Sequence, residues 1–115
     1  MIKRLQVGDR MSQVVIHDGT VYLAGQVALE KGGAPVAEQT QHILDRIDGL
    51  LKEAGTDKTK VLSATIWLSD ISTFDEMNKV WDAWVPEGNA PARACVESKL
   101  AAPQFTVEIG IIAAL

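Results

Sequence analysis

The chain has 115 residues, of which 47% are hydrophobic and 23% are charged, and its formal net charge is −4. This length is typical of one domain that buries a core without disulfides or a structural metal. The negative charge and the scattered basic residues argue against a nucleic-acid-binding protein, and no segment approaches the roughly 20 apolar residues that span a membrane.

Targeting and metal-binding signals are also missing from the sequence. The charged residues 1–5 are followed by no apolar run of signal-peptide length, so we expect a cytoplasmic protein without a membrane anchor. The single cysteine, Cys95, cannot form an internal disulfide. Cys95, His17 and His42 do not make up a zinc ligand set, and we predict no metal site.

The first predicted elements are two strands, residues 14–16 and 21–23, joined by residues 17–20. The central Asp18-Gly19 pair is a strong signal for a tight hairpin turn, and His17 is interpreted as a turn residue. Gly25 follows the second strand and is interpreted as a bulge, with close approach of a ligand to the backbone as the alternative.

An amphipathic helix is predicted after the loop at residues 30–35. It ends at Gly55, because glycine favours the left-handed position that closes a helix. His42 lies beside the apolar stripe and is interpreted as a surface or partly packed histidine of this helix rather than a catalytic one. The apolar stripe comprises Ile43, Leu44, Ile47, Leu50, Leu51 and Ala54.

Residues 61–69 alternate strictly, which predicts a strand. Ser63, Thr65 and Trp67 share one face. The opposite, apolar face comprises Leu62, Ala64, Ile66 and Leu68.

A second helix is predicted over residues 70–85, with Ser72 and Asp75 available as caps near its start and Pro86 and Gly88 ending it. Its apolar side comprises Phe74, Met77, Trp81 and Trp84.

Two further strands, residues 92–98 and 105–113, complete the chain. The element order β-β-(β)-α-β-α-β-β favours an α+β fold with two helices on one face of a mixed sheet. The other face stays uncovered, and Tyr22, Trp67 and Ile112 fall on it. Exposed apolar surface of this kind usually marks an interface, so we predict a homo-oligomer.

Two charged residues interrupt these last strands, Arg93 and Glu108. If the two strands pair as an antiparallel hairpin centred near residues 100 and 101, Arg93 lies opposite Glu108 on one face. An arginine binds a carboxylate through two parallel N–H donors, and a nearby glutamate orients or deprotonates a water. Such a site would bind a small acid and hydrate the neighbouring carbon.

The residues alone leave a structural alternative of at least equal weight, in which Arg93 and Glu108 form an ion pair that stabilises the sheet. Cys95 shares the predicted face of Arg93. It is interpreted as a small buried residue rather than a nucleophile, because no histidine is placed to activate it, and its place in the pocket lining stays open.

Four segments in order resemble the Rid (YjgF/YER057c/UK114) family, the reactive intermediate deaminases, over nearly the whole chain. Residues 77–85 are most similar to the short bacterial YoaB-type branch of that family. The four segments are YLAGQ at 22–26, TIWLSD at 65–70 with Phe74, Met77 and Asn78 after it, PARACV at 91–96, and VEI at 107–109.

The resemblance implies a chorismate-mutase-like α+β fold, assembled as a homotrimer with three equivalent ligand clefts between subunits. It implies hydrolysis of small enamines and imines, such as 2-iminobutyrate and 2-iminopropionate, to 2-oxo acids and ammonia. This chemistry is metabolite damage control and needs neither metal nor cofactor. Arg93 would bind the substrate carboxylate and Glu108 would position the attacking water. The backbone around Gly25 and Cys95, with their neighbours Ala24 and Ala94, would complete the pocket.

The chain also departs from the family pattern. Residues 10–13 lack the archetypal Pro-Tyr pair, so a tyrosine that helps to close the cleft is absent. Gly110 replaces a second glutamate, and the loop before Pro91 is shorter. These departures alter the pocket but keep Arg93. The alternative function is non-catalytic binding or sensing of small carboxylates such as 2-oxo acids in the same cleft.

Overall fold

Both helices pack against the same face of a single sheet in the computed structural model, which describes all 115 residues. The predicted α+β class, with two helices on one face of a mixed sheet, is therefore confirmed. The strands are β1 (Lys3–Val7), β2 (Ser12–His17), β3 (Thr20–Leu23), β4 (Gln26–Val27), β5 (Val61–Leu68), β6 (Ala92–Glu97) and β7 (Val107–Ala114), and the helices are α1 (Val36–Ala54) and α2 (Phe74–Trp84). The strand order is β1-β2-β3-β7-β5-β6, and β4 also pairs with β7.

The β2–β3 hairpin turns at Asp18 and Gly19, as predicted. Both residues have positive φ, 49° and 76°, which is the backbone that a two-residue type I′ turn requires. His17 ends β2 at this turn and is exposed. Strand β1 was not predicted, because it is an edge strand in which only Leu5 is partly buried and its sequence lacks a clear alternation.

Helix α1 ends where the sequence predicts, before Gly55. Gly55 adopts the left-handed conformation with φ 90°, and the N–H groups of Gly55 and Thr56 donate to the carbonyls of Lys52 and Leu51. These bonds satisfy carbonyls that the end of a helix leaves unpaired. His42 is half-buried beside the apolar stripe of α1, which is the partly packed alternative of its interpretation.

Helix α2 begins four residues later than predicted. A short 3-10 turn, Ile71–Thr73, precedes it, and the carboxylate of Asp70 accepts hydrogen bonds from the N–H and the hydroxyl of Ser72 at 2.9 and 2.7 Å. The interpretation of Ser72 and Asp75 as caps of this helix is therefore wrong, since the N-cap residue makes no side-chain cap hydrogen bond. Aspartate caps the preceding turn instead.

Strand β5 lies between β6 and β7, parallel to β6 and antiparallel to β7. The predicted antiparallel hairpin of the last two strands, centred near residues 100 and 101, is therefore wrong. The connection over residues 98–106 is long enough to cross one intervening strand, since two strand spacings amount to only about 10 Å. Strand β5 thereby gains hydrogen-bonded neighbours on both edges.

A second correction concerns Leu62. The strict alternation of β5 predicts that Leu62 shares the buried face with Ala64, but Leu62 is 53% exposed. A β-bulge between Val61 and Ser63 shifts the register, and Val61 is buried in its place.

The sheet has one face packed under the helices and one uncovered face, which we call the open face. Tyr22 and Ile112 lie side by side on it in β3 and β7, and they are 44% and 37% exposed. Trp67 is on the same face and half-buried, so the predicted position of these three residues is confirmed. Across β3, β7, β5 and β6, Glu108 is the only charged residue of the open face.

The helix face carries the hydrophobic core, to which both helices and all of the central strands contribute. Trp81 and Trp84 belong to this core, with ring centroids 5.3 Å apart. Neither α1 nor α2 combines the length and the apolar composition that crossing a membrane would require.

Candidate functional site

Arg93 lies on the edge strand β6 and points to the helix face of the sheet. Its partner in the parallel register is Ala64 of β5, which is 2% exposed under the helices. Paired residues of neighbouring strands share a face. The guanidinium reaches α2, where Nη1 donates a hydrogen bond of 2.7 Å to Oδ1 of Asn78.

Two aromatic rings of α2 flank the same guanidinium. Its central carbon lies 5.7 Å from the ring centroid of Phe74 and 5.3 Å from that of Trp81, distances at which a cation is attracted to an aromatic face. Arg93 makes no ion pair, since the single ion-pair contact of the chain joins His17 to Asp18. The half-buried positive charge is therefore held in place by neutral groups and remains available to an anion.

Glu108 lies on the open face, flanked by Val27 of β4 and Trp67 of β5. The carboxylate is half-buried and has neither a hydrogen-bond donor nor a cation from the chain. Burial raises the pKa of this carboxyl above its usual value, because a low-dielectric environment disfavours the charged form. A carboxyl group in this state is suited to exchange protons with a water or a substrate.

Gly25 makes room for that carboxylate. A Cβ added at Gly25 would collide with Oε2 of Glu108 and lie 3.1 Å from its Cδ. The residue falls in the gap between β3 and β4, so the strand edge is interrupted beside Glu108. The group that closely approaches the backbone at Gly25 is the side chain of Glu108, and the approach of a ligand stays a prediction.

Arg93 and Glu108 do not meet within one chain, and the prediction that they lie opposite each other on one face is wrong. Arg93 is aligned with Ala64 and Glu108 with Trp67, three residues apart along β5 and on opposite faces. With two strand spacings between them, their Cα atoms are about 14 Å apart. Because β5 separates them, the alternative of an Arg93–Glu108 ion pair within the sheet is also excluded for a single chain.

The other predicted site residues divide between the two faces. Cys95 is half-buried on the helix face against the core; burial raises the pKa of its thiol, and the Arg93 charge offsets part of that rise. Ala94 is exposed on the open face beside Thr65. Ala24 precedes Gly25, and its N–H and carbonyl are already bonded to Gln13 and Gln26.

The sequence interpretation missed Asn78 as a site residue. Its signal is the same as that of Arg93: a polar residue inside an apolar stripe, here between Phe74 and Trp81 of α2. No group of three or more His, Cys, Asp or Glu side chains is placed to hold a metal ion.

Comparison with known proteins gives matches over the whole chain. The family model described as endoribonuclease L-PSP matches residues 1–115. The RutC family protein YoaB of Escherichia coli is 44% identical over 114 residues, which is 99% of this chain and 98% of YoaB. A crystal structure of a YjgF-family protein from Neisseria meningitidis is 45% identical, with a TM-score of 0.96, covering 99% of this chain and 94% of that one.

A more distant relative has a name that states an activity. The rat protein named 2-iminobutanoate/2-iminopropanoate deaminase is 33% identical over 107 residues, which is 89% of this chain and 77% of the rat protein.

Proposed function

The chain belongs to the endoribonuclease L-PSP family, which includes the YjgF and RutC proteins, and we propose that it hydrolyses small 2-imino acids to 2-oxo acids and ammonia. The observation that carries the proposal is the half-buried guanidinium of Arg93, which has no carboxylate partner in the chain. A half-buried cation without a countercharge attracts an anion, and in that partly desolvated site the attraction is stronger than in water. The name of the rat relative supports a 2-imino acid as that anion.

The reaction is proposed to occur between two subunits. Arg93 and Glu108 lie about 14 Å apart on opposite faces of one sheet, and a four-carbon acid is too short to touch both. An Arg93 from one subunit and a Glu108 from a neighbour avoid this restriction. The apolar open face, with Tyr22 and Ile112 exposed, is the surface on which such subunits would pack, and a homotrimer is the assembly we propose.

In the proposed mechanism, Arg93 binds the carboxylate of the substrate through two N–H donors. Glu108 accepts a proton from a water molecule, and the oxygen of that water adds to the carbon of the imine, whose nitrogen is protonated. The π electron pair of the C=N bond moves to nitrogen. Glu108 then returns the proton to that nitrogen, the C–N bond breaks, and ammonia leaves. Loss of the hydroxyl proton completes the carbonyl of the 2-oxo acid, so no metal or cofactor is required for atom balance.

The proposal is tested by generating a 2-imino acid with an amino-acid oxidase and following the release of the 2-oxo acid. We expect the protein to accelerate release, and Arg93→Lys to lower kcat/KM about a hundredfold, because lysine cannot form the two parallel bonds. Arg4→Lys on the exposed edge strand β1 is the matched control and should keep the rate.

Two outcomes would contradict the proposal. An unchanged rate for Arg93→Lys would remove the arginine from the mechanism. Saturable binding of a 2-oxo acid that depends on Arg93, without any acceleration, would favour non-catalytic binding or sensing of small carboxylates instead.

A further inference from the structure

Asn78 holds the guanidinium that the proposed function assigns to the substrate carboxylate. We infer that Asn78 is a positioning residue: it fixes Arg93 in the orientation that receives a carboxylate, without neutralising the charge of Arg93. The inference rests on the proposed role of Arg93 and adds a residue and a recognition rule to it. The contact that carries it is the 2.7 Å hydrogen bond from Nη1 of Arg93 to Oδ1 of Asn78.

Three side chains of α2 surround the guanidinium of Arg93. Phe74, Asn78 and Trp81 are separated by four and then three residues, so they share one side of the helix. Both rings lie within 6 Å of the Arg93 guanidinium. The hydrogen bond at Nη1 and the ring contacts together restrict the rotation of the Arg93 side chain, so less conformational entropy is lost when a carboxylate binds to it.

Asparagine at this position destabilises the helix unless its side chain makes a compensating contact. It is one of the weaker helix formers in a helix interior, and Asn78 lies in the middle of the eleven-residue α2. Its Oδ1 has no other hydrogen-bond donor in the chain than Arg93. The polar side chain is thus explained by the arginine alone.

The neutrality of Asn78 matters for ligand binding. An aspartate at this position would hold Arg93 equally well, but its charge would occupy the guanidinium and oppose an incoming anion. The amide oxygen engages one of five N–H donors of Arg93 and leaves the full positive charge. The other titratable groups on the same face of β6 are Cys95 and Glu97, and Glu97 accepts a hydrogen bond from the N–H of Ile71 instead.

A recognition rule follows from this arrangement. The site discriminates a carboxylate from an uncharged group of the same shape, and Asn78 contributes to affinity only through the carboxylate. A residue that merely stabilised α2 would affect both kinds of ligand equally.

Calorimetry with 2-oxobutyrate and with its neutral analogue 2-oxobutyramide tests this rule. We expect Asn78→Ala and Asn78→Ser to raise the Kd of 2-oxobutyrate about tenfold and to leave the weak binding of the amide unchanged. Asn78→Asp should weaken 2-oxobutyrate binding more, and the affinity should recover as the pH is lowered and the introduced carboxyl is protonated. Lys79→Ala, at the next and exposed position of α2, is the matched control.

The outcomes separate the inference from the function on which it rests. If Arg93→Ala abolishes 2-oxobutyrate binding while both neutral Asn78 variants bind normally, the role of Asn78 is overturned and the proposed function stands. If Arg93→Ala binds normally, the proposed carboxylate site itself is overturned. Equal loss of acid and amide binding in the Asn78 variants would also overturn the inference, because it indicates a structural role.

Discussion

The carboxylate of Glu108 fills the space in which a side chain at Gly25 would lie. Strand β4 begins directly after Gly25 and pairs with β7 at Glu108, so the backbone and the carboxylate approach each other closely. The half-buried carboxylate thus has a fixed position on the open face, bordered by Gly25 on one side and Trp67 on the other.

Gly25→Ala is expected to displace this carboxylate. The new Cβ would collide with Oε2 of Glu108, and a shift of about 1 Å at a catalytic group costs roughly a hundredfold in rate. We predict that loss in kcat for 2-imino acid hydrolysis. Gly49→Ala in the middle of α1 is the control: nothing lies within 4 Å of its added Cβ, so the rate should persist and stability should rise by about 0.5–1 kcal/mol.

As the pH is lowered, the rate of hydrolysis is expected to fall sooner, at a higher pH, than it would with an ordinary glutamate. Only the ionised carboxylate of Glu108 accepts a proton from water, so activity is lost as the pH drops through its pKa. Burial raises that pKa, and the acidic limb of kcat/KM should therefore lie above the usual value of about 4.3. Glu108→Gln should remove activity, whereas Glu87→Gln in an exposed loop should leave the limb unmoved. A limb at the ordinary value would contradict the prediction.

A charge on the open face is expected to prevent assembly. Ile112 lies next to Tyr22 at the centre of that face, and burying a lysine there without a partner is unfavourable. Sedimentation should show particles of three times the 12.4 kDa chain mass for the unchanged protein and smaller ones for Ile112→Lys. Ile71→Lys changes an isoleucine of similar exposure at the start of the turn before α2, and it should assemble normally. Normal assembly of Ile112→Lys would show that subunits meet elsewhere.

Gln39→Ala is expected to destabilise the fold by about 2–3 kcal/mol, because backbone groups inside the protein lose their hydrogen-bond partner. Gln39 is fully buried in α1. Its amide donates to the carbonyls of Ala34 and Gln104 and accepts from the N–H of Thr106. Gln41→Ala, two residues along and exposed, should change the urea unfolding free energy by less than about 0.5 kcal/mol. Equal effects of the two substitutions would contradict this role.

Local sequence patterns predicted the parts of the fold that depend on near neighbours. The Asp18-Gly19 pair requires a tight turn and Gly55 ends a helix, because both are backbone conformations that few other residues adopt. The apolar stripe predicts helix α1 whatever surface the helix packs against. Strand β1 was missed because its exposed edge position leaves no apolar alternation.

Pairing between distant strands could not be predicted in the same way. Alternation shows which residues of a strand share a face, but it does not show which strand is the neighbour. Taking β6 and β7 as a hairpin placed Arg93 and Glu108 together, and the insertion of β5 separates them. The polar residue Asn78 interrupts the apolar stripe of α2, but its role was missed because its partner, Arg93, is 15 residues away.

The sequence by itself determined the α+β class, the positions of both helices, and Arg93 and Glu108 as the two charges out of place in apolar strands. These follow from periodicity and from the cost of burying a charge, which are local properties. Only the tertiary structure decided that the two charges face opposite sides of the sheet, and that Arg93 is held by a neutral amide while Glu108 lies against Gly25. Strand order and register are set by packing of the whole chain, so the contacts of each charge are determined by residues remote from it in sequence.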